Sequence, residues 1–444
     1  MKEISILPSE LSGKVMIPPS KSMSHRALIC AGLSRGKSLV YNIEFSKDII
    51  ATSEALKTLG ANIREINKES SVLHKLEVNG VKFNEDTNID FNKEHCINIE
   101  CNESGSTLRF LIPIAMVTGK KIKFLGRGKL GERPLKTYYD IFDEQLIDYT
   151  TEDNKLPLVV NGKLKSGEYK VKGNISSQFI SGLLFTLPLL QGDSKIIITT
   201  ELESKGYIDL TLDMLKKFSV KVINKGYREF IIEGNQEYKS RDYRVEGDFS
   251  QGAFFLVAGI LGKNITVLDL DIESLQGDKE ILDIIEKMQG KCKISSNREE
   301  KFISTSRCKT KGTVIDASQC PDLVPIVSVL AALSEGQTRI VKAERLRIKE
   351  SDRLKAMCTE LNKLGADVQE TEDGLIINGK ECLKGGRVNS WNDHRIAMAL
   401  AIASIKCREE VIIENSTVVD KSYPRFWDDF KMLGGRINEC NMGK

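Results

Sequence analysis

Six apolar segments recur along the chain, and each follows the same order of polar and apolar positions. A polar opening leads into a run rich in small apolar residues, then a break, then a β-branched stretch. The runs are SHRALICAGL, STLRFLIPIAM, SQFISGLLFTL, SQGAFFLVAGIL, PDLVPIVSVLAAL and DHRIAMALAIA. A helix that is apolar on all sides is buried, so the pattern predicts six buried helices, each followed by a strand.

The breaks after these runs are marked by glycine in five of the six segments. These are Gly36, Gly119, Gly192, Gly262 and Gly336, spaced by 83, 73, 70 and 74 residues. Glycine is favoured just past a helix end, where the backbone takes a positive φ. The regular spacing indicates an internal repeat of about 75 residues.

A second type of helix is predicted between the buried ones. Apolar residues at i, i+3, i+4 and i+7 indicate amphipathic helices. They lie in TSEALKTLGANI, YYDIFDEQLIDY (the weakest), LTLDMLKKFSVKV, LDIIEKMQGKCKI, RLKAMCTELNKLGADV and FWDDFKMLGGRI. The sequence therefore predicts an α/β fold of six units in two pseudo-symmetric domains of three. We expect residues 21–242 to form one domain, and residues 1–20 with 243–444 the other.

Composition narrows the class of protein. The 444 residues are 41% hydrophobic and 29% charged, and the net charge is only +3, which argues against a nucleic-acid-binding protein. No apolar run approaches the ~18 residues of a membrane span, and the N-terminus has no apolar signal core, so we expect a cytoplasmic protein with no membrane partner. The ten scattered cysteines without a CxxC pair predict free, mostly buried thiols, and four histidines without HxxxH disfavour a metal site.

Polar residues gather at the starts of the predicted buried helices. Serine and aspartate there are ordinary helix caps. Four cations are not explained in this way, because a positive charge opposes the dipole at a helix start: Lys21, Arg26, Arg109 and Arg395. A phosphate or carboxylate ligand at the helix starts would compensate them, and a solvated surface is the alternative.

Three further segments carry basic residues. GRGKLGERPL contains Arg133 and is either an anion-binding loop or a surface turn. RLRIKESDR is either a salt-bridged surface helix or an anion site; if it is helical, Lys349 and Arg353 share a face. DKSYPRFW places Lys421 before the last amphipathic helix, where an ordinary surface lysine is the alternative.

Ten motifs together resemble those of the 5-enolpyruvylshikimate-3-phosphate synthase (3-phosphoshikimate 1-carboxyvinyltransferase) family, one of the enolpyruvyl transferases. They occur in family order from residue 18 to residue 427: PPSKSMSHRAL, ESGSTLRFL, GERPL, SSQFISGLL, ESKGYIDLT, VEGDFSQGAFFL, PDLVP, RIKESDRL, DHRIAMAL and DKSYPRFW. The resemblance implies two domains of three βαβαββ units each, an inside-out α/β barrel with buried helices. It also implies an active site in the cleft between the domains, which close over the substrates.

The resemblance further implies the reaction and its partners. Phosphoenolpyruvate and shikimate 3-phosphate would give 5-enolpyruvylshikimate 3-phosphate and phosphate, on the pathway to chorismate and the aromatic amino acids. The family uses no metal and no organic cofactor, and its members are usually monomers. We therefore expect a monomeric enzyme whose partners are these two small molecules.

Matched position by position, the family motifs imply two sets of ligand-binding residues. Those for shikimate 3-phosphate are Lys21, Ser22, Arg26, Ser176, Ser177, Gln178, Ser204, Asp322 and Lys349, with Tyr207 alongside. Those for phosphoenolpyruvate are Lys21, Gly105, Arg133, Gln178, Arg353, Arg395 and Lys421. The implied catalytic residues are Asp322, Glu350, Lys21 and Lys421. Asp322 would accept the proton of the substrate hydroxyl, and either Lys21 or Glu350 would protonate C3 of phosphoenolpyruvate.

The sequence departs from the family pattern at a few positions. Arg345 stands where some members have an asparagine that contacts shikimate 3-phosphate, and Glu103 and Ser106 replace a common Asn and Thr. Gly105 is retained, and a side chain there would narrow the phosphoenolpyruvate pocket. These positions bear on inhibition by glyphosate, which we expect to compete with phosphoenolpyruvate.

Two other functions remain as alternatives. A related UDP-N-acetylglucosamine 1-carboxyvinyltransferase would share the repeats, but such enzymes typically carry a reactive cysteine in the loop matching GRGKLGERPL, and none occurs there. A catalytically inactive phospho-ligand-binding protein would keep the arginines and lose the acid–base residues. Lys21, Asp322, Glu350 and Lys421 are all present, which disfavours that reading.

Overall fold

A computed structural model of the chain describes residues 2–66, 73–81, 96–296 and 301–440. These ranges contain twelve α-helices, with bounds α1 Lys21–Leu33, α2 Lys47–Thr58, α3 Gly105–Ala115, α4 Lys136–Gln145, α5 Ser177–Thr186, α6 Lys205–Lys217, α7 Phe249–Leu261, α8 Ile281–Lys287, α9 Val324–Ala332, α10 Arg353–Lys363, α11 His394–Ala403 and α12 Phe426–Met432. Short 3-10 helices lie at Met116–Thr118, Gly128–Glu132, Leu187–Leu189, Gly277–Glu280, Pro321–Leu323, Glu344–Ile348, Ser404–Lys406 and Ser416–Lys421.

Strands separate these helices along the whole chain. Their bounds are β1 Glu3–Leu7, β2 Gly13–Met16, β3 Ser34–Arg35, β4 Lys37–Ile43, β5 Asn62–Glu65, β6 His74–Asn79, β7 Ile97–Glu100, β8 Lys121–Leu125, β9 Asp148–Glu152, β10 Lys155–Asn161, β11 Glu168–Val171, β12 Ser194–Ile198, β13 Ile223–Lys225, β14 Glu229–Ile232, β15 Tyr238–Lys239, β16 Tyr243–Arg244, β17 Ile265–Leu268, β18 Cys292–Ser296, β19 Lys301–Thr305, β20 Val314–Asp316, β21 Gln337–Val341, β22 Asp367–Glu370, β23 Leu375–Asn378, β24 Gly386–Asn389, β25 Val411–Glu414 and β26 Arg436–Cys440.

The chain divides into two compact units, each with its own hydrophobic core. One unit is Lys21–Val245, and the other combines Met1–Ser20 with Glu246–Lys444. The N-terminal strand β1 belongs to the second unit, where it lies between β25 and β26 with Ile4 opposite Ile413 and Glu439.

Six four-stranded sheets repeat one topology, three in each unit. Their orders are β16-β4-β6-β5, β7-β8-β10-β9, β11-β12-β14-β13, β2-β17-β19-β18, β20-β21-β23-β22 and β24-β25-β1-β26. In every sheet the first pair of strands is parallel and the next two pairs are antiparallel. The six predicted α/β repeats are confirmed. Over the described residues the strands form separate sheets and not a closed ring.

The six apolar runs form the interiors of the two units. Every residue of α7, α9 and α11 is buried, and α1, α3 and α5 are exposed only at one or two residues of the first turn. The six amphipathic segments form α2, α4, α6, α8, α10 and α12. The first turns of α1, α3, α5 and α11 therefore bring polar side chains to the end of an apolar interior.

Two details differ from the sequence predictions. Positive φ angles occur at Gly36, Gly119 and Gly336. Gly262 instead has φ −107°, and Gly192 is also outside the positive region. A Cβ at Gly192 would lie 2.5 Å from Ser166 Oγ, so steric exclusion accounts for that glycine. Nine described cysteines are free, but four are buried and five are partly exposed, so "mostly buried" is wrong.

Candidate active site

Arg26 is a buried cation in the second turn of α1. Its Nε donates to Thr211 Oγ1 at 2.9 Å, and its terminal nitrogens donate to the carbonyl oxygens of Ser22 and Tyr207, each at 2.9 Å. Only 2% of the residue is exposed, and no carboxylate of the described chain pairs with it. Burial lowers the pKa of Arg26 to about 10. The protein thus surrounds this charge with neutral acceptors.

Lys21, the first residue of α1, has a carboxylate partner. Its Nζ lies 3.0 Å from Oδ2 of Asp48, in the first turn of α2, and the two side chains are 17% and 8% exposed. One turn further along each helix, His25 Nδ1 lies 2.7 Å from Thr52 Oγ1. Burial lowers the pKa of His25 to about 3, so its imidazole is neutral at physiological pH. The anion predicted to compensate Lys21 is supplied in part by the protein itself.

Gly105 begins α3 beside two guanidinium groups. A Cβ at this position would lie 2.8 Å from a terminal nitrogen of Arg133 and 3.3 Å from one of Arg109. The amide of Gln178, in the first turn of α5, accepts from Arg109 at 2.8 Å and donates to Ser106 Oγ at 2.9 Å. We call Gly105, Arg109, Arg133 and Gln178 the Gly105 recess. Its donors and its lack of a side chain suit a small planar anion.

The predicted serines lie at the starts of their helices. Ser176 caps α5 by accepting from the backbone N–H of Gln178 at 3.3 Å, and Ser177 is the first residue of that helix. Ser204 precedes α6 with φ 54°, a left-handed conformation. The centre of the Tyr207 ring, in the first turn of α6, lies 5.9 Å from the Arg26 guanidinium carbon.

Arg353 organises the polar cluster of the other unit. It begins α10, is 1% exposed and donates to Asp322 Oδ1 at 2.7 Å, Glu350 Oε2 at 2.7 Å and Asp393 Oδ2 at 2.8 Å. Burial alone would lower the pKa of Arg353, but Asp393, Glu350 and Asp322 outweigh burial and raise it. With Arg395, these residues are called the arginine–carboxylate cluster.

Asp322 binds a second guanidinium group in this cluster. Arg395 donates to its Oδ2 at 3.3 Å and to its backbone oxygen at 3.2 Å. Asp322 therefore pairs with one arginine on each carboxylate oxygen. The prediction that the aspartates at the starts of the buried helices are caps is wrong for Asp322, which lies just before α9, because α9 has no side-chain cap. Asp393 does cap α11, accepting from the Arg395 backbone N–H at 3.0 Å. Lys421 Nζ is 4.0 Å from Oε1 of Glu350.

Lys349 lies in extended backbone between a 3-10 helix and α10, so the helical alternative does not hold and Lys349 shares no helical face with Arg353. Burial of its ammonium group lowers the pKa of Lys349 to about 8; Asp322 opposes this, and Arg353 and Arg345 add to it. Arg345 is itself buried and donates to the Ser318 carbonyl oxygen at 2.9 Å. Arg345, which replaces the asparagine of some family members, is thus a second cation near Lys349, in addition to Arg353.

Asp278 is a buried carboxylate that the motifs did not point to. It accepts from Ser250 Oγ, in the first turn of α7, at 2.6 Å and is 5% exposed. Burial, reinforced by the charge of Asp322 and opposed by Arg395, raises the pKa of Asp278 to about 6. Folding raises the pKa of this carboxyl group, so the folded state favours its protonated form. The stability of the protein therefore falls as the pH rises from about 4 to about 6, where the group becomes charged in the folded state.

Replacing Asp278 with asparagine is expected to stabilise the protein at pH 8 but not at pH 4. The two-unit rise in pKa corresponds to about 2–3 kcal/mol in the unfolding free energy. Urea unfolding at both pH values measures the difference. Asp283→Asn, on the exposed face of α8, is the matched control and should show no such pH dependence. An equal effect of Asp278→Asn at both pH values would contradict the assignment.

The residues that the sequence did not indicate share one property: their partners are distant in the chain. Thr52 is the first residue of a predicted amphipathic segment and Asp48 lies four residues before it; an acid at a helix start is common for dipole reasons. Asp278 sits in QGDKE without a distinctive pattern. Within the described ranges, no three His, Cys, Asp or Glu side chains come together as metal ligands would, and no helix is long and apolar enough to span a membrane.

Comparison with known proteins places the fold and then the family. A solved structure of EPSP synthase from Acinetobacter baumannii has the same fold, with a TM-score of 0.82 over 99% of this chain and 100% of that one, at 23% identity. The family model for EPSP synthase (3-phosphoshikimate 1-carboxyvinyltransferase) matches residues 7–430. The chain belongs to this family.

Curated relatives of the same name align with this chain over their full length. Proteins named 3-phosphoshikimate 1-carboxyvinyltransferase from Clostridium novyi and Clostridioides difficile are 60% and 55% identical, and each alignment covers 100% of both chains. A relative of the same name from Clostridium kluyveri is 57% identical, again over 100% of both chains.

Proposed function

We propose that this protein transfers the enolpyruvyl group of phosphoenolpyruvate to the 5-hydroxyl of shikimate 3-phosphate and releases phosphate. Its family membership, with relatives of that name at 55–60% identity over the whole chain, carries the proposal. The buried cations fit it, because both substrates carry a phosphate and a carboxylate. Bringing two such anions together requires positive charge to offset their repulsion.

For shikimate 3-phosphate, the proposed partners at the helix starts are Lys21, Ser22, Arg26, Ser176, Ser177, Gln178 and Ser204, together with Asp322 and Lys349 of the other unit. The burial of Arg26 among neutral acceptors supports this assignment. A buried charge without a counter-ion is costly, and a bound anion would remove that cost. Three of the five N–H donors of Arg26 are used by the protein, which leaves donors for a ligand.

For phosphoenolpyruvate, the proposed partners are Lys21, Gly105, Arg133, Gln178, Arg353, Arg395 and Lys421. The Gly105 recess supports the assignment of Gly105, Arg133 and Gln178, since two guanidinium groups approach a residue without a side chain. Arginine presents a planar pair of donors that matches carboxylate and phosphate. That the residues of the two units face one another across a closing cleft stays a prediction of the sequence.

The chemistry we propose is addition followed by elimination. Asp322 accepts the proton of the 5-hydroxyl while the oxygen of that hydroxyl bonds to C2 of phosphoenolpyruvate. In the same step, Lys21 or Glu350 protonates C3. The adduct then loses a proton from C3 and expels phosphate, so the same acid–base groups act in reverse. Lys421 lies near Glu350 and would help to hold the leaving phosphate. The two guanidinium groups on Asp322 fix the orientation of its carboxylate.

Replacing Gly105 with alanine is expected to raise KM for phosphoenolpyruvate about tenfold, the effect of a modest overpacking cost, and to leave KM for shikimate 3-phosphate nearly unchanged. The added methyl group would lie 2.8 Å from Arg133 and displace it from the recess. Steady-state phosphate release with each substrate varied in turn measures both constants, and glyphosate inhibition should weaken in parallel. Gly131→Ala, whose Cβ would have no neighbour closer than 3.9 Å, is the control.

The deciding test of the function is phosphate release by the purified protein. Release that requires both phosphoenolpyruvate and shikimate 3-phosphate, without added metal, would support the proposal. Turnover with UDP-N-acetylglucosamine in place of shikimate 3-phosphate would support the related transferase, and tight binding of shikimate 3-phosphate without turnover would support a binding protein. The proposal includes a monomeric state and a cytoplasmic location, which gel filtration and cell fractionation would test.

A further inference from the structure

Asp48 lies in the first turn of α2, and the position of that turn does not depend on Lys21. The helix begins after Ser46, whose side chain accepts from the backbone N–H of Ile49 at 3.4 Å. An acid in the first turn is favoured by the unpaired N–H groups and the positive end of the helix dipole. The Asp48 side chain is only 8% exposed, so its position is defined by packing as well as by charge.

A second contact fixes α1 and α2 in register below this pair. Lys21 and His25 are one turn apart on α1, and Asp48 and Thr52 are one turn apart on α2. His25 Nδ1 lies 2.7 Å from Thr52 Oγ1, parallel to the 3.0 Å contact of Lys21 with Asp48. Two contacts of this kind prevent α1 from sliding or turning relative to α2.

The second contact continues to the start of α3. Thr52 Oγ1 lies 2.7 Å from Thr107 Oγ1, which donates to Oγ of Ser104, the cap of α3, at 2.7 Å. Thr107 Oγ1 also lies 3.5 Å from the backbone oxygen of Asp48. The starts of three helices are thereby joined beside Gly105, the residue that follows Ser104.

We propose that Asp48 is a positioning residue that orients the Lys21 ammonium group for reaction. A free lysine side chain samples many rotamers, with ~2 kcal/mol of conformational entropy to lose when it is fixed. The pair with Asp48 restricts that sampling before substrate arrives. The inference rests on the proposed function, because Lys21 is there assigned to both substrates.

The role predicts an unusual division between kcat and KM. Asp48 brings negative charge next to an anion-binding lysine, so removing the carboxylate does not weaken the attraction of anionic substrates. It releases the ammonium group from its fixed direction, and misplacement of a reacting group lowers the rate of the chemical step. Loss of a residue with a purely structural role would instead lower stability, lower kcat and raise KM together.

The test compares Asp48→Asn with Asp48→Glu and with Glu54→Gln in phosphate release from both substrates. Asp48→Asn should lower kcat about tenfold, with KM for either substrate within about threefold of the wild type. Asp48→Glu should recover most of the loss. Glu54→Gln removes a carboxylate of the same helix that pairs with exposed Lys57 at 2.8 Å, and it should leave both constants unchanged. Thermal unfolding establishes that each variant is folded.

Repeating Asp48→Asn in a Lys21→Ala background asks whether Asp48 acts through Lys21. Under single-turnover conditions the second substitution should lower the rate by less than twofold, because the group it orients is gone. A full additional tenfold loss, a rise in KM at constant kcat, or no recovery with Asp48→Glu would overturn the inference. If the wild type is active and Asp48→Asn does not change its activity, the positioning role of Asp48 is wrong but the proposed function stands. If the wild type releases no phosphate, both the proposed function and the positioning role are wrong.

Discussion

Asp322→Asn is expected to lower kcat by about a thousandfold, within the range for removal of a general base. Asparagine keeps the shape of the side chain and one acceptor for Arg353, but its amide cannot take the proton of the attacking hydroxyl. Phosphate release under saturating concentrations of both substrates measures the effect. Binding of shikimate 3-phosphate, followed by calorimetry, should change only a few-fold because the cations assigned to it remain.

The matched control for this substitution is Asp316→Asn. Asp316 is in the same unit, six residues earlier, and its 46% exposed side chain pairs with Lys342 at 2.7 Å. Its replacement should leave kcat unchanged. If Asp322→Asn kept more than a tenth of the wild-type activity, another group would have to accept the proton, and Glu350 would be the next residue to test.

Arg353→Met is expected to lower the unfolding free energy of its unit by about 3–5 kcal/mol at pH 7.5, the usual cost of removing one partner from a buried ionic cluster. Three carboxylates share this guanidinium group: Asp322, Glu350 and Asp393. Methionine fills the volume but leaves these charges close together without their common cation. Urea unfolding, followed by probes in each unit because a single transition is not assured, measures the loss.

Arg387→Met provides the control for that experiment. Arg387 also pairs with two carboxylates, Glu3 and Glu414, but its side chain is 52% exposed. Solvent screens such pairs, so the loss should be much smaller than that for Arg353→Met. Equal losses for the two variants would mean that the negative charge of the arginine–carboxylate cluster is neutralised without Arg353.

The elements of the fold were predictable because their signals are local. An apolar run such as SQGAFFLVAGIL contains within itself the reason for its burial, and sixfold repetition makes the pattern hard to mistake. Asp393 shows the same for caps, since it stands next to the helix that it caps. Local signals were less reliable for turns: Gly192 and Gly262 mark the breaks without the positive φ that glycine usually indicates there.

The pairings in the candidate site could not be predicted in the same way. Asp48 lies 27 residues from Lys21, and Asp322 lies 31 from Arg353 and 73 from Arg395. No periodicity links such positions, because they meet only after several helices have packed. The family motifs named the cations but not Asp48, which neutralises one of them. Lys349 and Arg353 would share a face only if both were helical, and charge spacing alone could not show that Lys349 is extended.

The place of β1 bears on how the protein is made. Its two sheet partners, β25 and β26, stand at the opposite end of the chain, near residues 411–414 and 436–440. During translation β1 therefore leaves the ribosome long before its partners, although it is an inner strand of the sheet that they complete. The unit 21–245 is continuous and is synthesised entirely within that interval. Some 400 residues are added between the synthesis of β1 and that of its partners, and Ile4 and Ile6 must not pair with other strands in that time. At β1, the strand that is made early is therefore placed in its sheet late.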